Sequence, residues 1–238
     1  MPPPSSAVAR ITRYGGPMPV IAIVGAGPGL GLSVARVFGR HGFRVALIAR
    51  SAERLSGLVT ELAAEGVEAA AFPADAADPA ALAAALEAAA AQLGPIEVLE
   101  VSPLSGIVPI APSELTVETL TPQLGEVLFS SIAATNAVLP GMRERGSGTL
   151  LYTVGIGVHS PIRILGAINT AQAALRNWAL NLHGELAEEG IHAGVVAIGV
   201  GIVRGAEPGS GRMDPDAIAE RYWELHERRE PAEITIAP

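Results

Sequence analysis

The chain has 238 residues, enough for one well-filled α/β domain, and its formal charge of −8 argues against a nucleic-acid surface. Apolar residues make up 49% and aromatic ones only 4%, so the core must come from Ala, Val, Leu and Ile, a palette suited to parallel strands under Ala-rich helices. Cysteine is absent, which removes disulfides and thiolate metal sites.

Residues 1–18 read as a flexible leader, with prolines, Arg10 and Arg13 and without the apolar run of a secretory signal. Met18 is a candidate natural start, because Pro19 leads straight into the first strand. Tyr14–Ala35 carries no charge, yet glycine and proline interrupt it too often for a membrane helix, so a cytoplasmic protein with no membrane partner is expected. Hydrophobic patterning predicts strands over 20–24, 43–49, 67–72, 96–101, 149–154, 193–198 and 233–236. Helices are predicted over 30–40, 52–65, 79–92, 120–144, 167–189 and 214–228, with Pro79 and Pro122 suited to first-turn positions. This alternation predicts a single α/β domain, residues 19–238, with helices on both faces of a doubly wound parallel sheet of about seven strands. In the Ala-rich stretch 80–91, Leu82, Leu86 and the following Leu93 recur at helical spacing, so an ordinary covering helix is expected.

The segment VIAIVGAGPGLGLSVA, residues 20–35, combines a strand that reads as buried on both faces with glycines at 25, 27, 29 and 31 and then a helical pattern. Glycines there let the backbone turn sharply and approach a pyrophosphate, which would rest on the amino end of the helix beginning near Gly29. That is the order of a nucleotide-binding turn.

Gly25, Gly29 and Gly31 in GxxxGxG spacing, Asp75 in FPADAADP, and the segments AVLPGMRERGSGTLL and AALRNWALNLHGELAEEGIHAGVVAIGV together resemble the short-chain dehydrogenase/reductase family. The resemblance covers almost the whole chain from residue 20 and implies a Rossmann-type fold. It implies a dinucleotide held by Gly25, Gly29, Leu30, Gly31, Asp75, Ala76 and Gly199, and a substrate lid over residues 204–229. It also implies a homodimer or homotetramer paired through helices 120–144 and 167–189, with Ala171, Ala174, Trp178 and Leu182 in the shared surface. In VALIARSAERL, Ala49 stands where NAD-selective members carry Asp, while Arg50 with Ser51 can pair with a 2′-phosphate, so NADP(H) is the expected cofactor.

The catalytic half departs from the family pattern. Gly155 stands at the Ser position, Ile168 at the Tyr position and Gln172 at the Lys position, while Val127, or Glu126 with a one-residue slip, replaces the Asn. A tyrosine titrates near 10 and serves as an acid near neutrality only beside a fixed cation; Ile168 has no proton to give and Gln172 no charge. VSPLSG at 101–106 replaces the usual asparagine-rich turn, and Ile198, Gly199 and Val203 stand where contacts to the nicotinamide amide are expected. His159 is the candidate substitute acid, on a Gly-rich loop after the fifth strand, with Ser160, Arg163, Asn169, Thr170 and Gln172 as hydrogen-bonding partners. His183 and His192 read as structural. In the lid region, a glycine-rich AEPGSGR precedes a helix with Ile218, Tyr222 and Leu225 on one face and Trp223 and His226 nearby, which suits an apolar or aromatic small molecule.

Neither HExxH nor GxSxG occurs, so neither a metal site nor a serine-hydrolase elbow is expected. Three readings stay open. The first is an atypical NADP(H)-dependent reductase acting on an iminium or a conjugated electrophile. The second is a non-redox lyase, isomerase or cyclase on the same fold, and the third a non-catalytic NADP(H)- or partner-binding protein.

Overall fold

The computed structural model of the protein describes residues 18–207 and 209–237. Most of the leader expected over 1–18 lies outside the described residues; Met18 is inside, and its carbonyl accepts a hydrogen bond from Arg44 Nη2 at 2.9 Å. From there strands and helices alternate: β1 (Val20–Val24), α1 (Leu30–Arg40), β2 (Arg44–Ala49), α2 (Ala52–Ala64), β3 (Ala69–Pro73), α3 (Pro79–Leu93) and β4 (Ile96–Val101). Then follow α4 (Val117–Leu124), a π-helical turn (Gly125–Phe129), α5 (Ser130–Arg145), β5 (Gly148–Gly155), α6 (Gly166–Leu186) and β6 (Ile191–Ile198). The two-residue strands β7 (Gly201–Ile202) and β8 (Arg212–Met213) precede α7 (Pro215–Arg228) and β9 (Glu233–Ile236).

Seven strands form one sheet in the order β3-β2-β1-β4-β5-β6-β9, all neighbours parallel. The order reverses between β1 and β4, the switch point where ligands bind at the carboxyl ends of such sheets. Every residue of β1 is 0% exposed, because helices cover both faces of the central strands. One core layer joins the sheet to α3, α5 and α6, and the other joins it to α1, α2 and α7. Leu82, Leu86 and Leu93 enter the first layer, as their spacing predicts.

Several boundaries differ from the expected ones. Asp78 caps α3 by accepting from Ala80 N and Ala81 N, which puts Pro79 in the first turn as expected. Pro122 is different: it lies inside α4, because that helix begins earlier, at Val117. Its start is fixed by a capping box in which Thr116 Oγ1 accepts from Thr119 N and Thr119 Oγ1 accepts from Thr116 N. The helix expected over 120–144 is therefore α4 and α5 joined by the wide turn. The β7–β8 ladder was not predicted; it pairs Gly201 with Arg212 and Ile202 with Met213 outside the main sheet.

Of the four residues expected in a shared surface on α6, Ala171 and Leu182 are buried within the chain, at 0% and 8% exposed, whereas Ala174 and Trp178 are half-buried, Trp178 edge-on to Tyr152 with ring centroids 5.4 Å apart. The 3.6-residue period marks an apolar face but does not say whether it covers this sheet or another subunit. His183 and His192, read as structural, lie at β6: His183 Nδ1 donates to the Ala193 carbonyl at 3.0 Å, and His192 is 4% exposed at the start of that strand.

Candidate functional site

The turn after β1 is built by close approach. Gly25 has φ +93°, and a Cβ there would lie 2.6 Å from Pro103 Cα, so only glycine fits. At Gly31 a Cβ would stand 3.1 Å from Ala26 Cα, which keeps α1 tight against the turn. Gly29 faces open space, with nothing within 4 Å, and Gly27 has only the Gly25 carbonyl at that distance. No side chain caps α1 at Gly29; Leu32 N donates to the Gly27 carbonyl at 3.0 Å and Ser33 N to the Gly29 carbonyl at 3.2 Å, while the first N–H groups of a helix have no partner inside it. Tight glycines behind and open glycines in front of an uncapped helix end make a cradle that fits a pyrophosphate.

Further along the same edge, Arg50 is exposed after β2. Ser51 Oγ accepts from Arg54 N at 3.2 Å and caps α2, leaving its own proton free to donate. Asp75 is exposed; its Oδ1 accepts from Ala77 N at 3.0 Å, while half-buried Ala76 packs on the core. Gly199 donates its N–H to the Ile236 carbonyl at 2.7 Å, and a Cβ there would meet Ile156 at 3.2 Å.

Beside the cradle, at the carboxyl ends of β4 and β5, a cavity of about 60 Å³ is lined by Ser102, Leu104, Val127, Ser131, Thr153 and Gln172, among others. The π-helical turn supplies Val127 and shapes this wall: Ser131 Oγ donates to the Val127 carbonyl at 2.7 Å, and Ser130 Oγ to the Glu126 carbonyl. Such turns recur at functional sites, where they re-aim a helix face. Glu126 accepts from Ser105 N at 2.6 Å, so of the two residues counted onto the Asn position it is Val127 that lines the cavity.

Of the four residues expected to be catalytic, only Gln172 reaches the cavity. Its Oε1 accepts from Gly155 N at 2.9 Å, which ties α6 to the end of β5. Ile168, one turn earlier, is 4% exposed in the core. His159 lies outside the cavity lining, with Nε2 2.9 Å from Glu233 Oε1 at the sheet edge. Arg176 holds the same carboxylate through two hydrogen bonds, at 2.8 and 2.6 Å. Burial would raise the Glu233 carboxyl, but the Arg176 hydrogen bonds and charge, with His159 beside it, hold it below its ordinary value. Ser160 and Arg163 are exposed, Asn169 Nδ2 donates to the Ile162 carbonyl at 3.0 Å, and Thr170 Oγ1 to the Gly166 carbonyl at 2.8 Å.

The residue that sequence reasoning missed is Glu100. It is 0% exposed in β4, and its carboxylate accepts from Thr153 Oγ1 at 2.8 Å and Ser102 Oγ at 3.1 Å, two hydroxyls that line the cavity. Burial pushes its carboxyl up to about 7, against the lowering effect of those two hydrogen bonds. The available signal was a carboxylate inside the apolar run IEVLEV.

Around the mouth, residues 104–110 and 161–166 meet through the Ile110–Leu165 bridge, with Ile110 N donating to the Ile164 carbonyl at 2.8 Å. Their apolar side chains point out: Val108 is 65% and Ile164 60% exposed. Arg204 joins the next segment to the helices below, donating to Ser33 Oγ at 3.3 Å and to Asp216 Oδ2 at 3.4 Å, while Ser33 itself donates to Asp216. Gly205 N donates to Asp214 Oδ2 at 2.6 Å, and Asp214 caps α7.

The chain matches the family described as short chain dehydrogenase over residues 19–206. It belongs to that family. A Drosophila melanogaster dehydrogenase/reductase SDR family protein 7-like is 28% identical over 235 residues, covering 90% of this chain and 72% of that protein. The 2,3-dihydro-2,3-dihydroxybenzoate dehydrogenase of Bacillus subtilis is 30% identical over 182 residues, covering 74% of this chain and 67% of that protein. Among solved structures, L-sorbose reductase from Gluconobacter frateurii, complexed with NADPH and L-sorbose, superimposes with TM-score 0.82 at 20% identity, covering 92% of this chain and 95% of that one. An NADPH-bound short chain oxidoreductase from Pseudomonas aeruginosa, described as containing an atypical catalytic center, gives TM-score 0.79 at 22% identity, covering 92% and 95%. This short-chain dehydrogenase thus shares its fold with NADPH-bound structures. Among its described residues, no helix is long and apolar enough to cross a membrane, and no group of three or more His, Cys, Asp or Glu is placed to hold a metal ion.

Proposed function

We propose that the protein is an atypical short-chain dehydrogenase that binds NADP(H) and reduces a small apolar or aromatic electrophile, an iminium or a conjugated carbonyl, without the Tyr–Lys relay. The observation that carries the reading is a glycine-lined turn open at Gly27 and Gly29 beside a cavity, with Ile168 buried in the core and Gln172 Oε1 occupied by Gly155 N. Gly27, Gly29 and the amino end of α1 would hold the pyrophosphate, Asp75 and Ala76 would border the adenine, and Arg50 with Ser51 would take the 2′-phosphate. When bound, the nicotinamide supplies hydride, and the chain's task is to orient the acceptor and keep water out.

Exposed apolar Val108 and Ile164 suit such an acceptor, and residues 204–229 would form the lid, with Arg204 donating to Ser33 and Asp216. A homodimer or homotetramer through the α4–α5 helix and α6 belongs to the same reading; Val117 and Phe129 are exposed on that helix, at 75% and 48%. Sedimentation as a monomer at micromolar concentration would count against the oligomer.

The deciding experiment is calorimetric titration with NADPH, NADP+, NADH and NAD+. NADPH should bind tightest, and Arg50→Asp should weaken it about 10- to 100-fold, as expected for losing a charge-assisted phosphate contact and gaining a repulsive carboxylate. No binding of any dinucleotide would overturn the reading and leave a non-redox lyase, isomerase or cyclase on the same cavity, or a non-catalytic partner-binding protein.

A further inference from the structure

Glu100 is the only acidic side chain among the described residues that is fully buried, and nothing in the reductase reading uses it. In register it lies between Ile23 of β1 and Leu151 of β5. Its two oxygens meet two hydroxyls, Thr153 and Ser102, and Thr153 Oγ1 is in turn 2.7 Å from the Tyr222 hydroxyl of α7. Tyr222 is also the only ionisable group among the buried residues of α1 and α7. Burial, reinforced by the Glu100 charge, keeps that phenol protonated. Half-buried Asp216 is engaged by Ser33 and Arg204, and His226 by Thr149. Among the described residues, therefore, no cation offsets the burial of Glu100.

We propose that Glu100 is a proton store for the cavity, passing its proton through the Thr153 hydroxyl, with Ser102 as a second branch, to an oxygen or carbon centre of the bound ligand. In the transfer the Glu100 O–H bond breaks as Thr153 Oγ takes that proton and releases its own to the ligand, leaving a carboxylate that water later reprotonates. Thr153 is the group that meets the ligand, and Glu100 acts through it as a positioning residue. The use of this proton rests on the reductase reading: the electron pair arrives as hydride from NADPH, the proton from Glu100, and the products are the reduced ligand and NADP+. An iminium accepts hydride without any proton. A store at this place therefore narrows the substrate class to a conjugated carbonyl, whose enolate or alkoxide must be protonated.

Infrared difference spectroscopy of the full chain, titrated from about pH 5 to 9 in H2O and D2O, tests the store directly. The wild type should show the carbonyl band of a protonated carboxyl that disappears with a midpoint near neutrality, and Glu100→Gln should lack it. In Thr153→Val combined with Ser102→Ala the band should remain, its midpoint should rise, and its exchange into D2O should slow at least about tenfold. An unchanged spectrum in Glu100→Gln, or equally fast exchange in the double variant, overturns the proposal; if Glu100→Gln fails to fold, the double variant decides alone. Calorimetry with NADPH on the same proteins separates the two readings. Normal binding without the band sinks only the store, whereas a titrating band without binding sinks only the reductase.

Discussion

The two ends of the parallel sheet each bury ionisable groups, and burial drives them in opposite directions. At the carboxyl end, Glu100 is pushed up to about 7; at the amino end, His192 and His226 are each pushed down to about 4, first by burial and then by neighbouring positive charge, from His183 and Arg229 on His192 and from Arg229, His192 and His41 on His226. Both shifts favour the neutral form. What differs is the surroundings. Glu100 has two hydroxyl partners that open on a cavity, whereas His192 Nε2 has no hydrogen-bond partner, and His226 sits among Phe38, Phe43 and Trp223 with Nδ1 2.9 Å from Thr149 Oγ1. Burial alone thus makes a titratable group costly; burial with a hydrogen-bonded route to a ligand space makes it useful.

The largest effect is expected where the carboxyl end is tightest. Gly25→Ala should destabilise the chain by about 3 kcal/mol or more, a fall in Tm of about 10 °C, because it forces φ +93° on an L residue and drives its Cβ into Pro103. Gly29→Ala, in open space, should leave Tm nearly unchanged and weaken NADPH binding, so thermal melts and calorimetry together separate wall from cradle.

The acid end and the base end should next be separable by pH. Glu100 has a raised folded value, so its stability contribution is fullest below about 4.5 and falls as pH rises toward 7. Glu100→Gln should therefore gain up to about 2 kcal/mol over wild type at pH 8 and nothing at pH 4, by urea melts across that range. His192 has a depressed folded value, so its contribution is complete above 6.5 and is lost as pH falls toward 4. His192→Leu should blunt acid unfolding at pH 5 by about 1–2 kcal/mol and cost little at pH 8, since the ring leaves a nitrogen unpartnered. Parallel curves for both variants would break the contrast between the two ends.

The smallest effect is expected at His159. Its pairing with Glu233 is partly solvent-exposed, so His159→Ala should change Tm by less than about 2 °C and leave NADPH affinity unchanged. A tenfold loss of affinity would return His159 to the ligand site.

These outcomes reflect what a sequence can carry. The β1–α1 turn was legible because steric exclusion is local: Gly25 and Gly31 are required by atoms of Pro103 and Ala26. Strand positions were legible because central parallel strands read as apolar runs, although β6 begins at Ile191, two residues before the expected start. The beginning of α4 was missed because a Thr116–Thr119 capping box is quieter than Pro122, which drew the boundary inward. His159 was placed by its position after β5, while its partner, Glu233, comes from the last strand, a pairing that no local pattern announces. Glu100 went unread for the same reason: one of its two partners, Thr153, is 53 residues away, and nothing in IEVLEV announces that pairing.

The last strand has a consequence of its own. Among the described residues β9 pairs only with β6, and its Glu233 gathers His159 and Arg176, so four residues at once shield a sheet margin and moor the loop after β5. Clipping the chain before Glu233 would bare the backbone of Val195–Ile198 as a template for a foreign strand. It would also cut loose the neighbouring wall of the mouth, so proteolysis at this tail would present first as fibrous or amorphous self-association and only then as lost ligand affinity.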